Sequence, residues 1–416
     1  MKILVLGGTG KIGAAVAWDL AREESVEAVG LVARSAEALQ RTKRWIGSEK
    51  IVLHPGDVAG PGLEQALGEY EVVVIALPDR RTSYRAAHQA IVRGVHVVDM
   101  LEEYHRRPDP YETEGLEVPA GMTAEEYGDW LHREALRNEV TFLDGIGFAP
   151  GISNITVGEG IRRLDHAVAA VARVGGIPNK AAAARHPLRY MVTWAFDHVL
   201  REYMIKVQVK KDGQVVEVDA LTDRETFPFR QFGVDEVLEC AITPGMPSFI
   251  HTRPELRDFA EKTIRWPGHY AAVDVLRECG LLDLDPVHLD GAAVAPREFT
   301  ARVLSPRLRP GPGEGDVCVM WNTVRGTKAG RPARVDYYLW DEADPVTGIS
   351  AMARVTGFAA AIGARFVGAG KIRKRGIVAP EDAIVGDLYS EFIAELARRE
   401  IAVREVESIS SRGCLP

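Results

Sequence analysis

A few side chains in this sequence have the chemistry to act on a small molecule. Asp99, Asp144 and His269 can take or hold a proton near neutral pH once a protein environment tunes them. Arg265 offers the planar donor fork that grips a carboxylate through two hydrogen bonds. Tyr190, Trp194 and Asp197 fall at i, i+4 and i+7. On a helix they share one face, with rings for an aliphatic chain and an acid for a cationic end. Gly8, Thr9, Gly10, Lys11, Ile12 and Gly13 follow the spacing G-x-G-x-x-G, which leaves backbone N–H groups free for phosphate. Each group also has a plainer explanation. Asp99 can cap a turn, the Tyr190 stripe can face a core, and Arg265 and His269 can be structural.

Elements must hold these groups. Ile3 to Leu6 is an apolar run too short for a helix and bounded by glycines, which predicts a buried parallel strand. The glycine turn and the run AAVAWDLAREE complete the strand, turn and helix of a dinucleotide-binding unit. Gly8 is expected to permit the tight turn, Gly10 to let a pyrophosphate approach, and Gly13 to let the helix lie close.

Val26 to Val32 predicts the second strand. At its end an NAD enzyme carries an acid for the ribose hydroxyls. Here Arg34 and Ser35 stand in its place, which suits the 2′-phosphate of NADP better than NAD. A third strand ending at Asp57 and Val58 is expected near the adenine. A fourth, ending at Leu77 and Pro78, is expected near the nicotinamide ribose. The fifth, VHVVDM, ends at Asp99. These units predict a doubly wound parallel sheet of Rossmann type, which binds ligands beyond the carboxyl ends of its strands. Residues 101–130 are rich in Pro, Gly and acid and read as a long excursion over that edge, a lid, with a helix resuming at Trp130.

Beyond Val168 the texture changes. IKVQVKKDGQVVEV alternates around Asp212-Gly213, a hairpin signal, and VCVMWNTVRG with RPARVDYYLWDEA makes another alternating pair. One wet face per strand predicts an antiparallel sheet in an α+β domain, whose open face suits stacking on a second copy. PLRYMVTWAFDHVLREY reads as one helix, GISAMARVTGFAAAIGARF as a close-packed helix of small residues, and Asp387 to Arg399 as a last amphipathic helix.

Composition narrows the class. The 416 residues suit two or three domains, and 46% hydrophobic content supports a large core. A net charge of −8, mixed along the chain, excludes a nucleic-acid-binding surface. Cys240, Cys279, Cys318 and Cys414 are scattered, with no metal spacing and no disulfide framework, which predicts a reduced, cytoplasmic protein. No window approaches the ~18–20 apolar residues of a membrane span, and no signal peptide is seen.

DGIGFAPGISN from Asp144, VARVGGIP from Val171, KTIRWPGH from Lys262 and AMARVTGFAAAIGARFVGAGKIRKRGIVAPE from Ala351 occur in this order. Together they resemble the saccharopine dehydrogenase family, most closely its lysine 6-dehydrogenase branch. The resemblance implies a Rossmann domain at 1–147, an inserted α+β substrate and oligomerisation domain at 148–347, and C-terminal helices at 348–416 that return to the first. It implies NADP- or NAD-dependent oxidation of the amine of an amino acid or diamine, in a homodimer or homotetramer. Arg34 stands where that branch usually has an acid and fits the saccharopine reductases, which condense an amine with a carbonyl and reduce the imine. A chain that binds NADP without turnover, as a redox sensor, is the reading from outside enzymology.

Overall fold

The computed structural model describes residues 1–60, 62–109, 116–193 and 195–410. The chain forms two compact units. The first comprises 1–159, 246–252 and 353–401; the second comprises 160–245, 253–352 and 402–416.

The first unit is built on β1 (Lys2–Leu6), β2 (Ala28–Ala33), β3 (Ile51–Pro55), β4 (Val72–Ile75), β5 (His96–Asp99) and β6 (Thr141–Leu143). They lie side by side in the order β3-β2-β1-β4-β5-β6, and a last strand, Gly376–Val378, pairs with β6. Every pairing is parallel. The near-continuous apolar runs of β1 and β4 are buried, as strands covered on both faces require. The helix Ala351–Gly368 packs closely because its small residues leave room. A Cβ added at Gly357 would lie 3.1 Å from that of Ala15, and one at Gly363 would lie 2.9 Å from Leu143. The following helix, Asp387–Arg398, is tied down at its end, where Arg399 pairs bidentately with Asp19 at 2.7 and 2.8 Å.

The second unit holds a nine-stranded sheet, antiparallel except where Asp258–Arg265 runs parallel to His166–Pro178. Both expected hairpins form. Lys206–Lys211 pairs with Gln214–Asp219 through Asp212 and Gly213, which have φ of 51° and 82°, the left-handed turn the Asp-Gly pair favours. Asp316–Lys328 pairs with Arg331–Glu342 along its whole length. The final strand, Val403–Ile409, joins this sheet beside Arg331–Glu342, so not all of the C-terminal region belongs to the first unit.

Three expectations need correction. Pro187 to Tyr203 is not one helix: a short 3₁₀ turn at Pro187–Arg189 gives way to extended backbone at Tyr190, and the α-helix starts at Phe196. Pro187 starts the short turn, and positive φ at Leu188 and Arg189 then breaks the helical path. The helix expected from Trp130 begins earlier, at Ala124, because Thr123 and Glu126 form a capping box. β3 stops at Pro55, before Asp57 and Val58. Among the described residues no helix is long and apolar enough to cross a membrane.

Candidate active site

The turn after β1 is shaped by contacts that only glycine allows. Gly7 takes φ +77°, so the sharp reversal sits there, one residue before Gly8. A Cβ at Gly7 would stand 2.4 Å from the Ala76 carbonyl, and one at Gly8 would stand 2.8 Å from the Leu31 side chain. The helix α1 (Lys11–Leu20) then starts so close that a Cβ at Gly13 would meet the Gly7 carbonyl oxygen at 2.4 Å. Its N-cap is Gly10, so no side chain caps the first turn, and that turn holds no acid. Helix-start N–H groups and their positive end therefore face outward beside Thr9, Lys11 and Ile12. The cradle fits a dinucleotide pyrophosphate.

At the end of β2, Arg34 is exposed and has no hydrogen bond or ion pair among the described residues. The neighbouring cations are engaged. Arg41 pairs with Glu37 at 2.5 Å, and the Lys43 ammonium donates to the Ile51 carbonyl at 3.0 Å. Ser35 caps the next helix, its hydroxyl accepting from Ala38 N–H at 3.1 Å. Asp57 is exposed and accepts from Ala59 N–H, while Val58 is buried beside it. Leu77 packs against the core and Pro78 is exposed, just ahead of Asp79, the N-cap of the helix Arg80–Val92.

Asp99 and Asp144 meet at the carboxyl edge of the sheet, Asp99 closing β5 and Asp144 following β6. Between them lies His105. Its backbone N–H donates to Asp144 Oδ2 at 2.8 Å, and its Nδ1 pairs with Asp144 Oδ1 at 2.7 Å. Its Nε2 faces Asp99 Oδ2 at 3.6 Å, too long for a hydrogen bond, and neither atom has another partner. Asp99 Oδ1 accepts from Gly145 N–H at 3.0 Å.

A second buried pair adjoins this one. Glu103 bonds Arg80 at 2.6 Å and accepts from Asp109 N–H and the Tyr84 hydroxyl. Burial dominates the titration of all these groups. It pushes the Asp99 and Glu103 carboxyls up to about 7, raises Asp144 well above the usual carboxylate range, and lowers His105. Asp99 and His105 are fully sealed from water.

Glu103, Tyr104 and His105 are all buried where the chain bends and turns, so buried polar contacts pin this part of residues 101–109 to the edge of the sheet. That part of the segment read as a lid is an anchored strap; Pro110 to Gly115 lie outside the described residues. Glu103, His105, Arg80 and Tyr84 escaped the sequence reading. The readable signal was a cluster of ionisable residues, Glu102, Glu103 and His105, soon after a strand ending in Asp. Asn154 of the GISN motif also finds a partner in the same unit. It donates to Glu381 at 3.1 Å, and Glu381 further accepts from Ser248 and Thr252, both at 2.7 Å. A fully buried carboxylate is thereby satisfied by three side-chain donors.

In the second unit, Arg265 is buried with no carboxylate partner among the described residues. Its Nε donates to the Tyr203 hydroxyl at 3.1 Å, Nη1 donates to the Ile264 carbonyl, and the guanidinium lies 5.3 Å from the Tyr190 ring centre. His269 opens the helix His269–Glu278 behind Pro267-Gly268, as the turn predicted. Its Nδ1 donates to the Leu188 carbonyl at 2.8 Å, and its Nε2 accepts from Tyr203 at 3.0 Å. Burial, aided by Arg265, lowers its pKa to about 3. Both ring nitrogens are engaged inside the unit, and the lowered pKa favours a neutral ring, an arrangement that suits a structural role for His269. Tyr190 is buried beside it, while Asp197 is exposed in the first turn of Phe196–Glu202, so no shared helical stripe forms. Trp194 lies outside the described residues.

Residues 3–132 match the family model of the saccharopine dehydrogenase NADP binding domain, and residues 147–401 match that of the saccharopine dehydrogenase C-terminal domain. Among solved structures, the fold is similar to apo saccharopine dehydrogenase (L-Glu forming) from Saccharomyces cerevisiae. The TM-score is 0.75 at 20% identity, covering 98% of this chain and 99% of that one. An oxidoreductase from Sinorhizobium meliloti aligns at TM-score 0.37 and 12% identity over 97% and 99% of the two chains.

Proposed function

Because the chain belongs to the saccharopine dehydrogenase family, we propose that it is an NADP-dependent dehydrogenase that oxidises the side-chain amine of an amino acid or diamine to an imine, which water then hydrolyses. The observation that carries the reading is the uncapped glycine turn at Gly7–Gly13, where Cβ atoms at Gly7, Gly8 and Gly13 would collide and no side chain caps the helix start. A bound nicotinamide supplies the hydride acceptor. The backbone N–H groups at the start of α1 hold the pyrophosphate, and the unpaired guanidinium of Arg34 receives a 2′-phosphate.

The amine must be neutral before it can form C=N, so a proton has to leave it. Asp99 and Asp144 are the candidate proton acceptors at the carboxyl edge of the sheet; burial pushes Asp99 up to about 7 and raises Asp144 well above the usual carboxylate range. Arg265, a buried cation without a counter-acid, is the group suited to a substrate carboxylate.

The test is absorbance at the reduced-nicotinamide band with NADP or NAD and a panel of amino acids and diamines. NADP reduction with a terminal-amine substrate supports the reading. Oxidation of NADPH only when an amine and a keto acid or aldehyde are both present would replace it with reductive condensation. Tight NADP binding without turnover in either direction would make the chain a sensor.

A further inference from the structure

Asp99 and Asp144 flank one imidazole, and a neutral imidazole carries a single N–H. The nitrogen that bears it decides what each acid must do. The ring of His105 is held for that choice, with centroids of Tyr84 at 4.2 Å and Phe142 at 4.8 Å. Burial keeps it neutral, and Arg80 aids burial against the pull of Asp99 and Glu103. Nδ1 meets Asp144 Oδ1 at 2.7 Å, and Nε2 faces Asp99 Oδ2 at 3.6 Å. With the proton on Nδ1, Asp144 is a carboxylate and a bare Nε2 confronts Asp99. With the proton on Nε2, Asp144 is the protonated acid that donates to Nδ1, and an N–H points at Asp99.

The surroundings favour the second arrangement. Both acids are buried, so a negative charge is least costly where most donors meet it. Asp99 accepts from two backbone N–H groups, that of Gly145 at 3.0 Å and that of Leu101. Asp144 accepts from one, that of His105 at 2.8 Å, and the Glu381 carboxylate opposes its ionisation. Arg80 and the Tyr84 hydroxyl are spent on Glu103 and neutralise neither acid.

We propose that Asp144 is a proton-bearing positioning residue that locks His105 in its Nε2–H tautomer and so leaves Asp99 as the base of the site. The assignment rests on the dehydrogenase reading above, which names both acids and does not choose between them. One proton moves, from the substrate ammonium to an Asp99 oxygen. Asp144 and His105 keep the protons they hold, and the Nε2–H steadies the Asp99 carboxylate beforehand.

Asparagine copies a protonated carboxyl in shape, with an amide N–H in place of O–H. Asp144→Asn should therefore lower kcat by no more than about threefold, and Asp99→Asn by on the order of 100-fold or more. Long-range proton–nitrogen correlation spectra of the full chain, with His105→Gln identifying the signal, read the tautomer directly. A protonated Nε2 and a bare Nδ1 are expected in the wild type and in Asp144→Asn. A protonated Nδ1 in the wild-type chain overturns the proposal, whether or not any variant folds. So does a folded Asp144→Asn protein as inactive as Asp99→Asn. If the wild type reduces NADP with no amine, the dehydrogenase reading falls and the role of Asp99 as its base falls with it, while the spectrum still decides which acid holds the proton.

Discussion

Gly13→Ala is the sharpest probe of the glycine cradle. The added methyl would sit 2.4 Å from the Gly7 carbonyl oxygen, 2.9 Å from the Gly7 carbonyl carbon and 3.1 Å from Gly8 Cα. All three are backbone atoms, so relief needs α1 to retreat by roughly 1 Å, and overpacking of this kind costs about 1–3 kcal/mol. Helix propensity returns about 1 kcal/mol, so the net loss of stability is about 0–2 kcal/mol. The retreat also pulls the first N–H groups of the helix off the phosphates. Each charge-assisted hydrogen bond lost is worth about 1.5–3 kcal/mol, or roughly 10- to 100-fold in affinity.

Gly10→Ala is the matched control. Gly10 has φ −74°, and its Cβ would meet nothing closer than the Gly7 carbonyl oxygen at 3.3 Å. It should leave the melting temperature unchanged and weaken NADP, because its methyl stands on the open side. Calorimetric titration with NADP beside thermal melts separates the two. A Gly13→Ala protein that melts and binds NADP like the parent would refute the cradle.

Three further outcomes are expected. Arg34→Asp should weaken NADP by on the order of 10- to 100-fold and NAD far less, read by titration with each; equal losses would remove Arg34 from the phosphate site. Asp99 has its folded pKa raised to about 7, so it stabilises the fold below its unfolded pKa of about 4 and loses that contribution as pH rises through 7. Urea melts at pH 5 and pH 8 should therefore show Asp99→Asn gaining on wild type by on the order of 2 kcal/mol at the higher pH, and a pH-independent difference would contradict the raised pKa. Arg265→Ala should raise KM for a carboxylate-bearing substrate with kcat less affected, in initial-rate assays; a fall in melting temperature with unchanged kinetics would make Arg265 purely structural.

The parallel sheet was legible because its strands are short apolar runs between turn residues, and the Asp212-Gly213 hairpin because its turn chemistry is unambiguous. Asp99 was legible as a strand-end acid, and Asp144 as the acid that opens the DGIGFAPGISN motif. Their link, His105, was not, because a loop histidine gains meaning only when the chain brings distant strand ends together. The helix assigned to Pro187–Tyr203 failed for a different reason. Its periodicity was genuine, but backbone conformation at Leu188 and Arg189 overrode it. The setting of His269 was not legible, because solvent exclusion, which no spacing records, decides its protonation.

The outer strand of the first sheet, Gly376–Val378, and the outer strand of the second, Val403–Ile409, both come from the last tenth of the chain. A nascent polypeptide thus keeps an open margin on each sheet until residues 376–378 and 403–409 have left the ribosome. A stop codon upstream of Gly376 would strip both sheets at once, even though it spares every glycine of the cradle and every member of the Asp99–His105–Asp144 cluster.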